Sequence, residues 1–380
     1  MKRLRNLLIF LLLLGLVWFM YGKDLKEYNV GNILGTIQTD WNRIVNHPKV
    51  ISALDTVEGG IDQLFDELDK TKNSIQKDPS QPLPKQEDIP ELEVPLSHTL
   101  SVYNVELGDL RSDVEQKVGE PQRSSYNEYG VNWYAYHENY RNFFMVAYDH
   151  EDKVAGLYTN QNLVSSVKGL SMESTKDAVV GELGDPVSKI QKGRVFYEIN
   201  NNDEFNLFQI DNSYITIFYD KHENQTVTGV QIISEELEQQ KKDYYPEESP
   251  QLKEGFEFQL FDLTNAARVE HGLSVLVWDD QVKMTARDHS VDMAVNHYFN
   301  HTNLEGLSPF DRMEEDNITF RAAGENLAAG QMSSIFAHEG LMNSMGHREN
   351  ILQTQFESLG VGVAFDSESK PYFTENFLTK

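Results

Sequence analysis

A chain of 380 residues has room for two modest domains with cores of their own. Sixty acidic against 33 basic residues give a formal charge of -27, a field that repels nucleic acid and anionic lipid. A hydrophobic share of 39% excludes a wholly disordered chain, and the absence of cysteine excludes disulfide frameworks, thiolate metal sites and cysteine nucleophiles.

Lys2, Arg3 and Arg5 precede an apolar run from Leu7 to Tyr21, the pattern of an export signal whose positive end stays inside. The run is shorter than the ~20 residues of a comfortable span. No small-x-small cleavage site follows it, and Trp18, Tyr21 and Lys23 resemble interfacial anchors. Residues 1–23 are therefore expected to be an uncleaved signal anchor, with a cleaved signal peptide as the alternative. The chain is then a single-pass membrane protein with its C-terminal part extracellular, or a secreted one, and its first partner is the membrane.

Residues 24–97 read as a stalk and linker. Ile51, Leu54, Val57, Ile61, Leu64 and Leu68 recur at helical spacing, and Pro79, Pro82, Pro84, Pro90 and Pro95 then punctuate an acidic, extended stretch.

Residues 98–235 contain an internal repeat. LGDLRSDVEQKVGEPQRS (Leu107 to Ser124) and MESTKDAVVGELGDPVSKI (Met172 to Ile190) each read as a short helix closed by Gly-acid-Pro, at Gly119-Glu120-Pro121 and Gly184-Asp185-Pro186. Each is followed by alternating strands rich in aromatics, among them Trp133, Tyr136, Phe143, Phe208 and Phe218. Those rings are expected to be core, with capture of a peptide or glycan as the alternative. Residues 236–252, polar and containing two prolines, read as a second linker.

From residue 253 to 380 the pattern is helical first and stranded last, an α+β order. Phe256, Leu260, Leu263 and Ala267 share one helix face that ends at Gly272; Asp279 or Asp280 caps a second helix; a third spans about Ser333 to Ser344. LGVGVAF and PYFTENFL form a closing hairpin. Between His289 and Ile351, imidazoles and carboxylates interrupt apolar surroundings, which a shared polar cleft explains economically.

His297 and His301 have the i,i+4 spacing of a zinc-protease helix, but Tyr298, Phe299 and Asn300 lie between them and the general-base glutamate of HExxH is missing. Ser308 and Ser344 lack a GxSxG elbow. Ser308 reads as a turn or N-cap residue, and Asp311 with Arg312 as an ion pair or cap.

HSVDMA (His289 to Ala294), YFNHTNLEGLSPFDR (Tyr298 to Arg312), GENLAAG (Gly324 to Gly330), MNSMGHRENIL (Met342 to Leu352) and LGVGVA (Leu359 to Ala364) resemble the CAP superfamily in its cysteine-free bacterial, SCP-like form. The resemblance implies an α-β-α sandwich with a polar cleft over the sheet. The repeat pair at 98–235 is similar to the CAP-associated N-terminal domain.

By that resemblance the cleft residues are His301, Glu325 and His347. The position of a second family glutamate is Ser344, and that of the tryptophan before it is Leu341. Glu339 stands five residues before Ser344, about 140° round a helix. The leading expectation is a cell-envelope binding module for a peptide, glycan or lipid-like ligand. One alternative is a hydrolase in which His301 and His347 hold Zn²⁺ and Glu325 acts as base; another is a scaffold whose middle domain captures a partner.

Overall fold

The computed structural model describes residues 90–199 and 203–380. The expected signal anchor and amphipathic stalk lie outside the described residues, and among these no helix is long and apolar enough to cross a membrane.

The middle module begins with β1 (Leu100–Val102), α1 (Arg111–Val118), β2 (Arg123–Tyr126), β3 (Asn132–Glu138), β4 (Arg141–Tyr148), β5 (Val154–Thr159) and β6 (Val164–Ser166). The second unit supplies α2 (Lys176–Leu183), β7 (Lys189–Lys192), β8 (Val195–Glu198), β9 (Phe205–Ile210), β10 (Ser213–Tyr219), β11 (Val227–Ser234) and α3 (Glu235–Gln240). Both repeat helices stop where the sequence says: Gly119 and Gly184 have φ of 82° and 87°, a region that glycine enters without steric cost. Asn139-Tyr140 and Asp211-Asn212 make the two-residue turns of β3–β4 and β9–β10 with positive φ at both positions, which matches strand twist.

The two units share one sheet of seven antiparallel strands, in the order β2-β3-β4-β5-β11-β10-β9. They join through β5 and β11, with Leu157 opposite Ile232. One face packs Tyr136, Phe144, Val146, Phe208 and Ile217 under Val114 of α1 and Val179 of α2. The other face packs Trp133, Phe143, Met145, Tyr158 and Phe218 against Leu263, Ala266 and Ile335 of the C-terminal module. The strands are thus covered on both sides, and the alternating aromatics are core as expected.

The C-terminal module contains α4 (Pro250–Glu270), β12 (Val277–Trp278), α5 (Asp280–Asn296), α6 (Pro309–Glu315), β13 (Ala322–Ala329), α7 (Ser334–Met342), α8 (Met345–Ile351), β14 (Ser358–Phe365) and β15 (Pro371–Thr379). Its sheet has the order β12-β14-β15-β13. Leu359, Val361 and Val363 of β14 face Phe256 and Leu260 of α4 and Ala337 and Leu341 of α7. The alternate positions Gly360 and Gly362 face α5 so closely that a Cβ would lie 2.2 Å and 2.0 Å from the backbone nitrogens of Lys283 and Arg287. Helices therefore cover both faces, the expected α-β-α arrangement. Asp279 caps α5 through its side chain, as its position predicts, and Ser333, read as the start of the third helix, caps α7 in the same way.

The stretch read as a second linker is different. Glu235–Gln240 is helical, and α4 starts at Pro250 behind a Ser249 N-cap. Proline fits the first helical position because that N–H has no intrahelical partner anyway. Gly255 lets α4 approach the Tyr126 backbone, where a Cβ would sit 2.0 Å from the carbonyl oxygen. The two modules are thereby locked together: Arg123 pairs with buried Asp262 at 2.9 Å, Tyr140 donates to the same carboxylate at 2.8 Å, and Arg348 pairs with Asp220 at 2.5 Å.

Candidate functional site

Glu325 is the fixed point of the candidate cleft. It sits in β13 opposite Asn376 of β15, with its side chain fully buried. Gly324 beside it has no room for a side chain: a Cβ would lie 2.9 Å from Phe356 and 3.0 Å from Asn350 Oδ1. A buried carboxylate needs partners for both oxygens, and Glu325 has them. Oε1 faces His301 Nδ1 at 2.9 Å, and Oε2 accepts from an Arg312 terminal nitrogen at 2.5 Å.

Arg312 is the residue that sequence reasoning misplaced. Ser308 and Asp311 form a reciprocal capping box at the start of α6, so the cap is confirmed but Asp311 is not the partner of Arg312. The guanidinium instead turns inward to Glu325, and its other terminal nitrogen donates to the carbonyls of His301, at 2.7 Å, and Leu307, at 3.2 Å. One planar fork therefore fixes the carboxylate and the loop carrying the imidazole, which a single-point ammonium could not do. The FDR stretch names the arginine, but its target lies 13 residues away on another element, with no local spacing to reveal it.

His301 is half exposed, at 51% for its side chain. With Nδ1 directed at the carboxylate, Nε2 is the nitrogen left toward solvent. The neighbouring Asn300 carbonyl is held by His289 Nε2 at 3.0 Å. Burial lowers the His289 pKa, so this imidazole is a neutral strut. His297, the i,i+4 neighbour, is the exposed left-handed C-cap of α5.

His347 lies on α8, which hangs from the sheet through a buried polar chain. Asn326 Nδ2 donates to the His347 carbonyl at 3.1 Å and to Glu375 Oε2 at 3.0 Å, and Thr264 donates to Glu375 Oε1 at 2.7 Å. Asn350 ties α8 to the Glu325 carbonyl at 3.2 Å. Burial, then the nearby charge of His301, lowers the pKa of His347, which keeps its imidazole neutral and available. Burial pushes Glu375 up to about 7; its role in hanging α8 had no signal in the sequence.

Ser344 is the N-cap of α8 but makes no side-chain cap hydrogen bond. Glu339 does not stand in for the missing cleft glutamate. It points away, into the middle module, where Tyr158 and Thr228 donate to its two oxygens at 2.7 and 2.8 Å. The offset along the helix is retained.

A Zn²⁺ site with three protein ligands does not fit this donor set. His301 and His347 supply two imidazoles, but Glu325 is committed on both oxygens, and among the described residues no three His, Asp or Glu side chains come together as a metal cage. The arrangement provides two imidazoles and a rigid carboxylate whose two oxygens are engaged by His301 and Arg312: hydrogen-bonding groups for a polar ligand.

Residues 261–377 match the model of the cysteine-rich secretory protein (CAP) family, and residues 107–244 match that of the CAP-associated N-terminal domain. The chain is a CAP-domain protein. An extracellular protein containing a SCP domain from Bacillus anthracis shares the fold with a TM-score of 0.63 and 27% identity, over 80% of this chain and 100% of that one. A cysteine-rich secretory protein from Staphylococcus aureus superposes with a TM-score of 0.57 at 17% identity, over 76% of this chain and 95% of that one, and this likeness speaks for the fold alone. The uncharacterized membrane protein YlbC of Bacillus subtilis is 27% identical over 292 residues, 72% of this chain and 82% of the relative. YkwD of the same organism, also uncharacterized, is 38% identical over 132 residues, 35% of this chain and 50% of the relative. The CAP domain thus carries His301, Glu325 and His347, and the CAP-associated domain forms the sheet that packs beneath it.

Proposed function

We propose that this CAP-domain protein is an envelope-facing binding module, held outside the cell by its N-terminal segment or secreted, which captures a peptide, glycan or lipid-like ligand at the His301/Glu325/His347 cleft. The observation that carries this reading is the double engagement of Glu325 by Arg312 and His301. A group held in that way presents an imidazole rigidly and pre-organises a binding surface. The membrane-protein name of one relative and the extracellular description of another support the location.

The test is the melting temperature of the protein titrated with soluble peptidoglycan fragments, short peptides and dispersed lipids. Saturable stabilisation by one class, lost in His301→Ala and His347→Ala, is expected. Absence of a shift across all three classes overturns the reading. Turnover of a peptide or ester substrate that disappears in both variants would replace it with the hydrolase alternative.

A further inference from the structure

A pocket of about 220 Å³ lies at the seam of the two modules, and none of His301, Glu325 and His347 lines it. It opens between β10 and β11 of the middle sheet, the β7–β8 hairpin, the end of α3 and the start of α7. Its character comes from Tyr129, Phe205, Tyr214, Tyr244, Met332 and Phe336.

The pocket divides what would otherwise be one apolar core. Ile190, Leu207 and Tyr214 form one buried cluster. Tyr129, Phe218 and Ile233, with Phe205 and Phe336 packed against them, belong to another. Members of both line the space between. Phe336 crosses from the CAP domain to reach this wall and meets the rings of Phe205 and Phe218 edge-on, at centroid distances of 5.4 and 5.0 Å. Tyr244, at the rim, is 42% exposed. Protein interiors are close-packed, and rings that border a gap forgo dispersion contacts that an occupant of the right shape restores.

The wall selects the chemistry of that occupant. Water is a poor one, because a buried water needs two to four polar partners and rings supply none. An ion is a poor one too: Glu238 is balanced by Lys192 at 2.6 Å, and Glu198 is exposed to solvent. Thr216 and Gln231 add a few polar groups to a mostly apolar lining, the composition of a small-molecule site. An apolar cavity of about 150 Å³ holds benzene, so the volume here has room for one or two fused rings.

We infer that this seam pocket binds a small neutral molecule carrying one aromatic ring system, packed among rings from both modules. Aromatic pairs gain more than the area they bury, so a saturated ring of the same size is the poorer ligand. Tyr129, Phe205 and Tyr214 come from the middle module and Met332 and Phe336 from the CAP domain, so an occupant also ties the two together. The site is independent of the cleft reading.

The experiment is a titration of the full chain, labelled with ¹³C at the methionine methyl groups, with naphthol and with its fully hydrogenated counterpart, decahydronaphthol. The Met332 signal, identified by its loss in Met332→Leu, reports the ring current of an aromatic neighbour directly. Saturable movement of that signal by naphthol is expected, with affinity for decahydronaphthol about tenfold lower. Ile199→Trp places a large side chain in the pocket and should abolish binding, and Tyr244→Ala removes the rim ring and should weaken it about fivefold. Tyr244 is exposed enough for its removal to leave the fold in place, so it decides alone if Ile199→Trp lowers the melting temperature. The double variant His301→Ala/His347→Ala should bind naphthol normally. A Met332 signal that stays still up to the solubility limit, equal binding of the saturated compound, or affinity unchanged by Tyr244→Ala would each overturn the inference.

Discussion

The Tyr158 hydroxyl, on the middle sheet, donates to Glu339 Oε1, on α7 of the CAP domain, across 2.7 Å. Both groups are buried, and this bond with its Thr228 companion is how the modules satisfy a carboxylate that neither could bury alone. Burial pushes Glu339 up to about 7, against the lowering effect of the two donors. A carboxyl whose folded pKa is raised stabilises the protein fully below its unfolded value of about 4.5, and that contribution is lost as pH rises through 7. Glu339→Gln removes the titration. The variant should lie close to the parent at pH 5 and become the more stable at pH 8, by up to about 3 kcal/mol, because one pKa unit is worth about 1.4 kcal/mol. Urea unfolding at the two pH values checks this, and a difference that does not change with pH would contradict it.

Arg123→Met probes another buried carboxylate of the seam. Burial raises Asp262 to about 6 even with Arg123 and Tyr140 beside it. Removing the guanidinium should destabilise the chain by about 1–3 kcal/mol, discounted because Arg123 is partly exposed. The loss should be larger at pH 8 than at pH 5, where Asp262 can take up a proton. Calorimetric scans should also begin to resolve separate melting of the two modules; a single unshifted transition would mean that the pair contributes nothing to docking.

How far the sequence carried these conclusions depended on whether a signal was local. Asp279 announces its helix because a cap bonds two or three residues away, and Gly119 and Gly184 announce theirs because the stop is a backbone conformation. Pro250 misled, since a proline at the first turn of a helix looks like a proline in a linker. The joining of β5 to β11, the turn of Arg312 toward Glu325 and the burial of Glu339 against Tyr158 are long-range pairings with no periodicity. For the same reason His301, Glu325 and His347 came from the family resemblance and not from spacing.

Arg312 is expected to be the most sensitive single position of the cleft. Arg312→Met leaves Glu325 buried with His301 as its remaining partner and frees the carbonyls of His301 and Leu307. Breaking a buried pair in this way costs about 3–5 kcal/mol. Arg312→Lys should recover less than half of that, because an ammonium cannot span three acceptors in a plane. Chemical denaturation of both variants decides the point, and equal stability of the lysine variant and the parent would show that charge alone suffices.

Two glycines separate packing from propensity. Gly362→Ala puts a methyl group 2.0 Å from the Arg287 nitrogen and must push α5 off the sheet, at a cost of about 3 kcal/mol or more. Gly346, inside α8, has open space where a Cβ would go, so Gly346→Ala should gain up to about 1 kcal/mol from helix propensity. Thermal melts that show the same sign for both would refute the close approach of α5 to β14.

Ser344 tests what the cleft lacks. Its hydroxyl makes no cap bond, so replacing it removes no interaction that holds α8. Ser344→Glu adds a carboxylate three residues before His347, at the position of the second family glutamate, and is expected to complete a donor set of the kind that holds Zn²⁺ with an open fourth position. The added acid also stands at a helix N-terminus, which tolerates negative charge. Zn²⁺ titration by calorimetry should show at least a tenfold gain in affinity over the parent, abolished when His301→Ala is added. If the affinity stays at the parental level, the carboxylate at 344 does not reach the imidazoles, and the cleft's hydrogen-bonding surface would have to be redrawn without that position.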